Sequence, residues 1–152
     1  MNAILVILLL NISGYNDDIS IIRELYLEAY ISESNCNDLG KELTSIGENA
    51  SNLITGYEGC FYFIKCKFIN SPINKFSYFN KGKKLLELAI KKDPKSVELK
   101  FLRYTIQKNI PKFLLYYDNI EKDLNFVNEN IKNIKDRETQ KFIMNSLKYI
   151  DK

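Results

Sequence analysis

Histidine is absent from the 152-residue chain, and that one gap removes several chemistries. A cysteine nucleophile is ordinarily activated by a neighbouring imidazole, and mixed metal sites on helix bundles draw on Glu-x-x-His pairs. A structural zinc site would need all three cysteines plus a carboxylate, and no CxxC spacing is there to begin one. Those cysteines, Cys36, Cys60 and Cys66, cannot all pair within one molecule. If Cys60 and Cys66 share a helix, they stand about 9 Å apart along its axis on different faces, beyond disulfide reach. A disulfide would therefore join Cys36 to Cys60 or to Cys66; burial as free thiols is the other expectation. Glycine and proline are sparse, at six and three residues, and the Leu, Ile, Lys, Glu and Asn content leans helical. Ile, Asn and Lys also rise together under nucleotide bias, so the lysine count alone carries little functional weight.

Long apolar runs are lacking too. Ala3 to Leu10 is an eight-residue apolar stretch, well short of the roughly 20 residues that span a bilayer as a helix, so no transmembrane anchor is expected. Its length suits the core of a secretory signal, with small residues at Ser13 and Gly14 where a peptidase could cut. Residues 1–14 thus read as a signal peptide and 15–152 as a single helical domain, exported to a periplasm or medium. The positive n-region is reduced to the amino terminus, and Ile12 would sit three residues before the cut. The alternative is a buried first element of a cytoplasmic domain. No cysteine follows the run to carry a lipid.

What is present is helical periodicity. Composition is 45% hydrophobic and 27% charged, inside the globular range, and a chain this long buries roughly 70% of its unfolded surface. A first helix is predicted over Ile19–Ser32, after Asp17 and Asp18. A second follows over Asp38–Ile46 with Asn37 as its cap and Gly47 as its end. Ser51–Ile69 could be a strand by its aromatics, but Leu53, Tyr57, Cys60, Ile64 and Phe68 follow helical steps; Gly56 and Gly59 would let another helix approach. Asn70-Ser71-Pro72 ends that element. Ser77–Lys92 and a helix capped by Ser96 meet at Asp93-Pro94, because proline disfavours helical geometry in the preceding residue. After Asn109-Ile110-Pro111, Phe113–Tyr117 should make a helical turn. Asp118 and Glu121 have capping-box spacing before a helix over Asn119–Lys135, and Asp136 caps a last helix.

Within Phe76–Tyr104, Gly82, Leu86, Ala89 and Pro94 stand at small, large, small and proline positions, and the run ends AIKKDP. This stretch resembles the second helix of a tetratricopeptide repeat. The resemblance covers about twenty residues and implies a helical-hairpin geometry. It departs from the repeat where Pro72 falls in the first-helix position and at Lys100, Arg103 and Tyr104. No second copy at the family's period is evident. The leader together with this arrangement is also similar to short exported bacterial proteins.

Charge is unevenly placed. Residues 1–56 carry two basic and eight acidic residues, 57–112 carry thirteen and four, and 113–152 carry seven of each. Complementary rims between the first and middle helices account for this. Lys81, Lys84, Lys91 and Lys92 form a candidate basic patch for an acidic partner. Nucleic acid is not expected, because arginine is scarce, no binding motif accompanies the run, and the pI of 8.6 lies below about 9. Gly82-Lys83 is no phosphate loop: Ser77 replaces its first glycine and Lys84 its Ser/Thr. Glu24 with Glu28, and Asp118, Glu121 and Asp123, read as solvated helix faces and caps. The tyrosines, Tyr57, Tyr62, Tyr104, Tyr116 and Tyr117 among them, read as half-buried core with hydroxyls at the rim.

These signals predict an all-α array of five to seven antiparallel helices, with tetratricopeptide-like hairpins. The leading function is a non-catalytic interaction module binding protein or peptide on an exposed concave side. A small-molecule or lipid carrier, its cavity lined by Tyr57–Phe68, is the alternative, and an enzyme the least supported class. No cofactor or metal is expected, and the sequence leaves the oligomeric state open.

Overall fold

The computed structural model describes residues 18–47 and 50–150; the 1–14 leader lies outside them. Among the described residues the fold is all-helical, with seven α-helices and no strand. These are α1 (18–28), α2 (Glu33–Ile46), α3 (Asn52–Lys65), α4 (Pro72–Lys92), α5 (Val97–Asn109), α6 (Ile120–Asn130) and α7 (Arg137–Ile150). Short 3-10 turns follow α3 at Cys66–Phe68, precede α6 at Lys112–Leu114, and extend it at Ile131–Asn133.

Most helix starts come from one device. Ser32, Ser51, Ser71 and Ser96 each accept a hydrogen bond from the amide three residues on, satisfying a donor that the helix leaves free. Two of these corrected the expected boundaries. Ser32 is not the end of the first helix but the cap of α2, which begins five residues before Asp38; Cys36, Leu39 and Leu43 form its buried stripe, so the thiol acts as the first apolar position. Pro72 likewise starts a helix rather than only closing one. With its amide unneeded and its φ pre-set, it occupies the first turn of α4 behind Ser71, five residues ahead of Ser77.

The capping box at Asp118 and Glu121 does not form. Asn119 takes the cap position without a side-chain bond, and its amide is bound instead by Gln107 Oε1 of α5 at 3.0 Å. A tertiary acceptor displaces the local one, and α6 ends at Asn130 rather than Lys135. Asp136 does cap α7, accepting from the Thr139 amide at 3.0 Å. The Thr139 hydroxyl and these amides hold its carboxyl below the usual range.

Helices α3 and α4 form the tightest antiparallel pair. Phe63 meets Phe79, Gly59 meets Gly82 and Leu86, and Gly56 meets Leu86 and Ala89, so position falls along one helix as it rises along the other. A Cβ on Gly59 would stand 2.8 Å from Leu86 N, and one on Gly82 would stand 2.8 Å from Gly59 O. Only hydrogen fits between these two backbones. The Gly82, Leu86 and Ala89 face is thus turned to α3, the preceding helix, while α5 packs chiefly on α6.

Helix α5 runs through the centre. Every residue from Glu98 to Gln107 except Lys100 is buried, so it is enclosed on all sides rather than amphipathic. Cys36, Cys60 and Cys66 are all free thiols, so the Cys36 disulfide is not present. Burial raises all three thiol pKa values, that of Cys36 to about 11.

Candidate functional site

Two features dominate the interior, and α5 belongs to both. The first is a pair of buried ion clusters. Arg23 of α1 grips Glu98 with two parallel bonds, Nε to Oε1 at 2.8 Å and a terminal nitrogen to Oε2 at 2.7 Å. Tyr57 donates its hydroxyl to the same Glu98 Oε1 at 2.6 Å, and Arg23 also donates to Thr139 Oγ1 at 2.6 Å. One guanidinium and one carboxylate therefore tie α1, α3, α5 and α7 together. Burial opposes the Arg23 charge, but the bonds to Glu98 and its negative charge leave the arginine pKa above its ordinary value. Burial first, and the Glu98 charge next, push the Tyr57 phenol well up, so it stays a donor.

The second cluster lies five residues along the same helix. Arg103 bonds Asp123 of α6 through two nitrogens, at 2.6 and 2.9 Å, and Glu87 of α4 at 2.8 Å. Tyr116 donates to the other Glu87 oxygen at 2.6 Å. Asp123 is 0% exposed. Reading it as part of a solvated cap was wrong, because its register on α6 points at α5, where the only compensating cation is Arg103. The hydroxyl of Tyr57 likewise points to a buried carboxylate and not to the rim, whereas that of Tyr116 reaches Glu87, whose side chain is 37% exposed. Among the described residues, Gln107 Nε2 is the one buried side-chain donor left without a partner. Both clusters are saturated with internal bonds, which is the condition for a buried charge to be tolerated. They tie the helices together, and Glu98 and Thr139 of the first cluster also line a small cleft between the start of α5 and the residues that follow α6.

The second feature is a groove of about 1390 Å³, open to solvent along one side. Its floor is Phe63 and Ile64 of α3, Phe79 of α4, and Phe101, Thr105 and Ile106 of α5. The walls come from the C-terminal ends of α1 and α7, the start of α4 and residues 110–114. At the lips, Leu27, Phe76, Phe113 and Tyr149 are 52%, 63%, 80% and 78% exposed. Exposed apolar side chains gathered around one groove make it the candidate site of this fold. Beside Phe113, Leu115 is the one described non-glycine residue at positive φ, 50°, a left-handed geometry that costs roughly 1 to 2 kcal/mol. The polar atoms on the floor are engaged locally: Tyr26 OH lies 2.8 Å from Thr105 Oγ1, and Asn109 bonds the Thr105 carbonyl. Among the described residues the lining includes Lys67 and Lys75 but no Asp, Glu or Arg.

Gly82, Leu86 and Ala89 lie under the groove region as packing residues between α3 and α4, and Pro94 sits in the exposed turn between α4 and α5. Lys81, Lys84, Lys91 and Lys92 are exposed on the opposite face of α4, outside the groove. Lys81 is engaged with Tyr62, donating to its hydroxyl at 2.6 Å. Rim charges pair between the acidic and basic segments at Lys65 and Glu33, 3.8 Å apart, but the stronger link runs the other way, from Arg23 to Glu98. The groove lips escaped sequence reading. Arg103, a charge set inside FLRYTI, was the legible sign of a buried pair.

Neither the protein-family models, the curated proteins nor the solved structures include a match to this chain.

Proposed function

We propose that this protein is a non-catalytic, exported interaction module that seats an amphipathic helix of a protein or peptide partner in the groove. The observation that carries this reading is the open apolar groove with projecting side chains from four separate elements at its lips. Its volume exceeds the roughly 300 to 1,000 Å³ of ordinary small-molecule pockets. An open trough suits a rod about 10 to 12 Å across, read through apolar anchors at helical spacing.

Because the chain contains no tryptophan, a Trp-bearing helical peptide with a Leu/Phe stripe reports its own burial by fluorescence. Saturable binding with a blue shift is expected, and its loss in a Phe76→Ser/Tyr149→Ser variant locates the site. No binding by such a peptide, with one-to-one uptake of an acyl-chain probe instead, would establish the second reading, an amphiphile carrier. That reading is favoured by the presence of Phe63, Ile64 and Cys66, from the aromatic segment, in the lining. Export is tested separately by the mass of the chain's amino terminus after expression in a secreting host.

A further inference from the structure

Resting on the groove reading above, we infer that the seated helix carries acidic residues at one end of its apolar stripe, and that this end lies over Lys67 and Lys75. The groove is polarised. Among the described residues its two charged lining side chains are both cations, and both come from one corner, where the 3-10 turn Cys66–Phe68 meets the first turn of α4. Cys66 Sγ lies 3.4 Å from the Lys75 carbonyl, which fixes the two segments side by side. Lys67 Nζ donates one bond to the Tyr30 carbonyl at 2.6 Å, and its other protons remain for a further acceptor. The amino-terminal, positive end of the 21-residue α4 adds to the field at the same corner. The walls from α7 and residues 110–114 contribute no charged residue to the lining, and their helix ends are the carboxyl-terminal ends of α5 and α7.

A purely apolar occupant would leave two exposed ammonium groups beside its end without gain, and a basic one would be repelled. An occupant with Glu or Asp at one end and Leu or Phe along its length matches both the lining and its charge. The same complementarity would select partners by charge, since the apolar stripe alone discriminates poorly among helices.

The test compares two Trp-bearing peptides that share one apolar stripe, the first ending in a turn of Glu, the second in a turn of Lys, against the full chain and against Lys67→Glu/Lys75→Glu. The Glu-ended peptide should bind the wild-type chain about tenfold tighter, the order should reverse in the charge-swapped variant, and the preference should shrink with added salt. Affinities of the two peptides within about twofold of each other in both proteins would overturn the inference. The groove reading would still stand if Phe76→Ser/Tyr149→Ser removed that binding. Binding of laurate or of anionic phosphatidylglycerol vesicles, with neither peptide bound, would overturn both.

Discussion

Two sets of side chains on α5 divide the molecule. One set, Glu98 and Arg103, is held in ion clusters with the charged groups of neighbouring helices; the other, Phe101, Thr105 and Ile106, interleaved with it, forms the floor of an open apolar trough. Polar groups are used up inside the fold, and apolar surface is left over at its edge. A charge left unpaired in the interior would be intolerable, whereas an apolar side chain left exposed is merely unfavourable. The ion clusters therefore tie the helices together, while the trough leaves apolar side chains exposed at its lips.

The largest effect should come from breaking an ion cluster. Arg23→Met leaves Glu98 buried with only the Tyr57 hydroxyl, and a loss of about 3 to 5 kcal/mol is expected in urea unfolding. Adding Glu98→Gln removes the stranded charge while keeping an acceptor for Tyr57, and most of that loss should return. If the single and double variants are equally unstable, the cluster contributes through packing, and the contrast between cluster and trough weakens.

Next in size is the glycine contact. Gly82→Ala forces a methyl group to 2.8 Å from the Gly59 carbonyl oxygen, and backbone cannot yield as a side-chain tip can. A loss of about 1 to 3 kcal/mol is expected, visible as a lower thermal midpoint. Since Phe63 and Phe79 at the groove floor ride on the same pair of helices, peptide binding should weaken in parallel.

Much of this architecture was legible and some was not, for reasons of range. Ser96, Asp136, Pro94 and the Gly82–Leu86–Ala89 face are local signals, and local signals place helices. Ser32 and Pro72 were misassigned because each sits where one element ends and another begins, and a residue's type does not say which role wins. Arg23 and Glu98 are 75 residues apart in sequence, so nothing near either one announces the other. The groove is harder still, because it exists where no described element covers Leu27, Phe76, Phe113 and Tyr149, and periodicity reports the faces that a helix could bury without saying which go uncovered.

Alkali probes the buried thiols and phenols without mutation. Burial raises the pKa of Cys36 to about 11 and lifts Cys60, Tyr26 and Tyr57 as well, whereas in the unfolded chain cysteine and tyrosine ionise near their ordinary values of about 9 and 10. Above pH 9 the unfolded state then holds fewer protons than the folded one, so the stability these neutral groups provide is full below pH 9 and drains away as pH rises. The urea midpoint should be flat from about pH 7 to 9 and fall beyond it. A midpoint that is level through pH 11 would mean that the thiols and phenols are not sealed as described.

The smallest expected effect on stability is the most informative about the open trough. Phe76, Phe113 and Tyr149 project into solvent, so replacing any one with Ser removes little that folding buried, and a change within about 0.5 kcal/mol is expected. The same substitutions should abolish or strongly weaken capture of an apolar-striped peptide, because the lips supply its anchors. Stability and binding would then separate cleanly: variants at Arg23 or Gly82 lose both together, variants at the lips lose binding alone. Should Phe113→Ser instead destabilise the fold by as much as Gly82→Ala, the lip would be a structural strap across the trough, and the left-handed turn at Leu115 beside it would serve to hold the bundle closed.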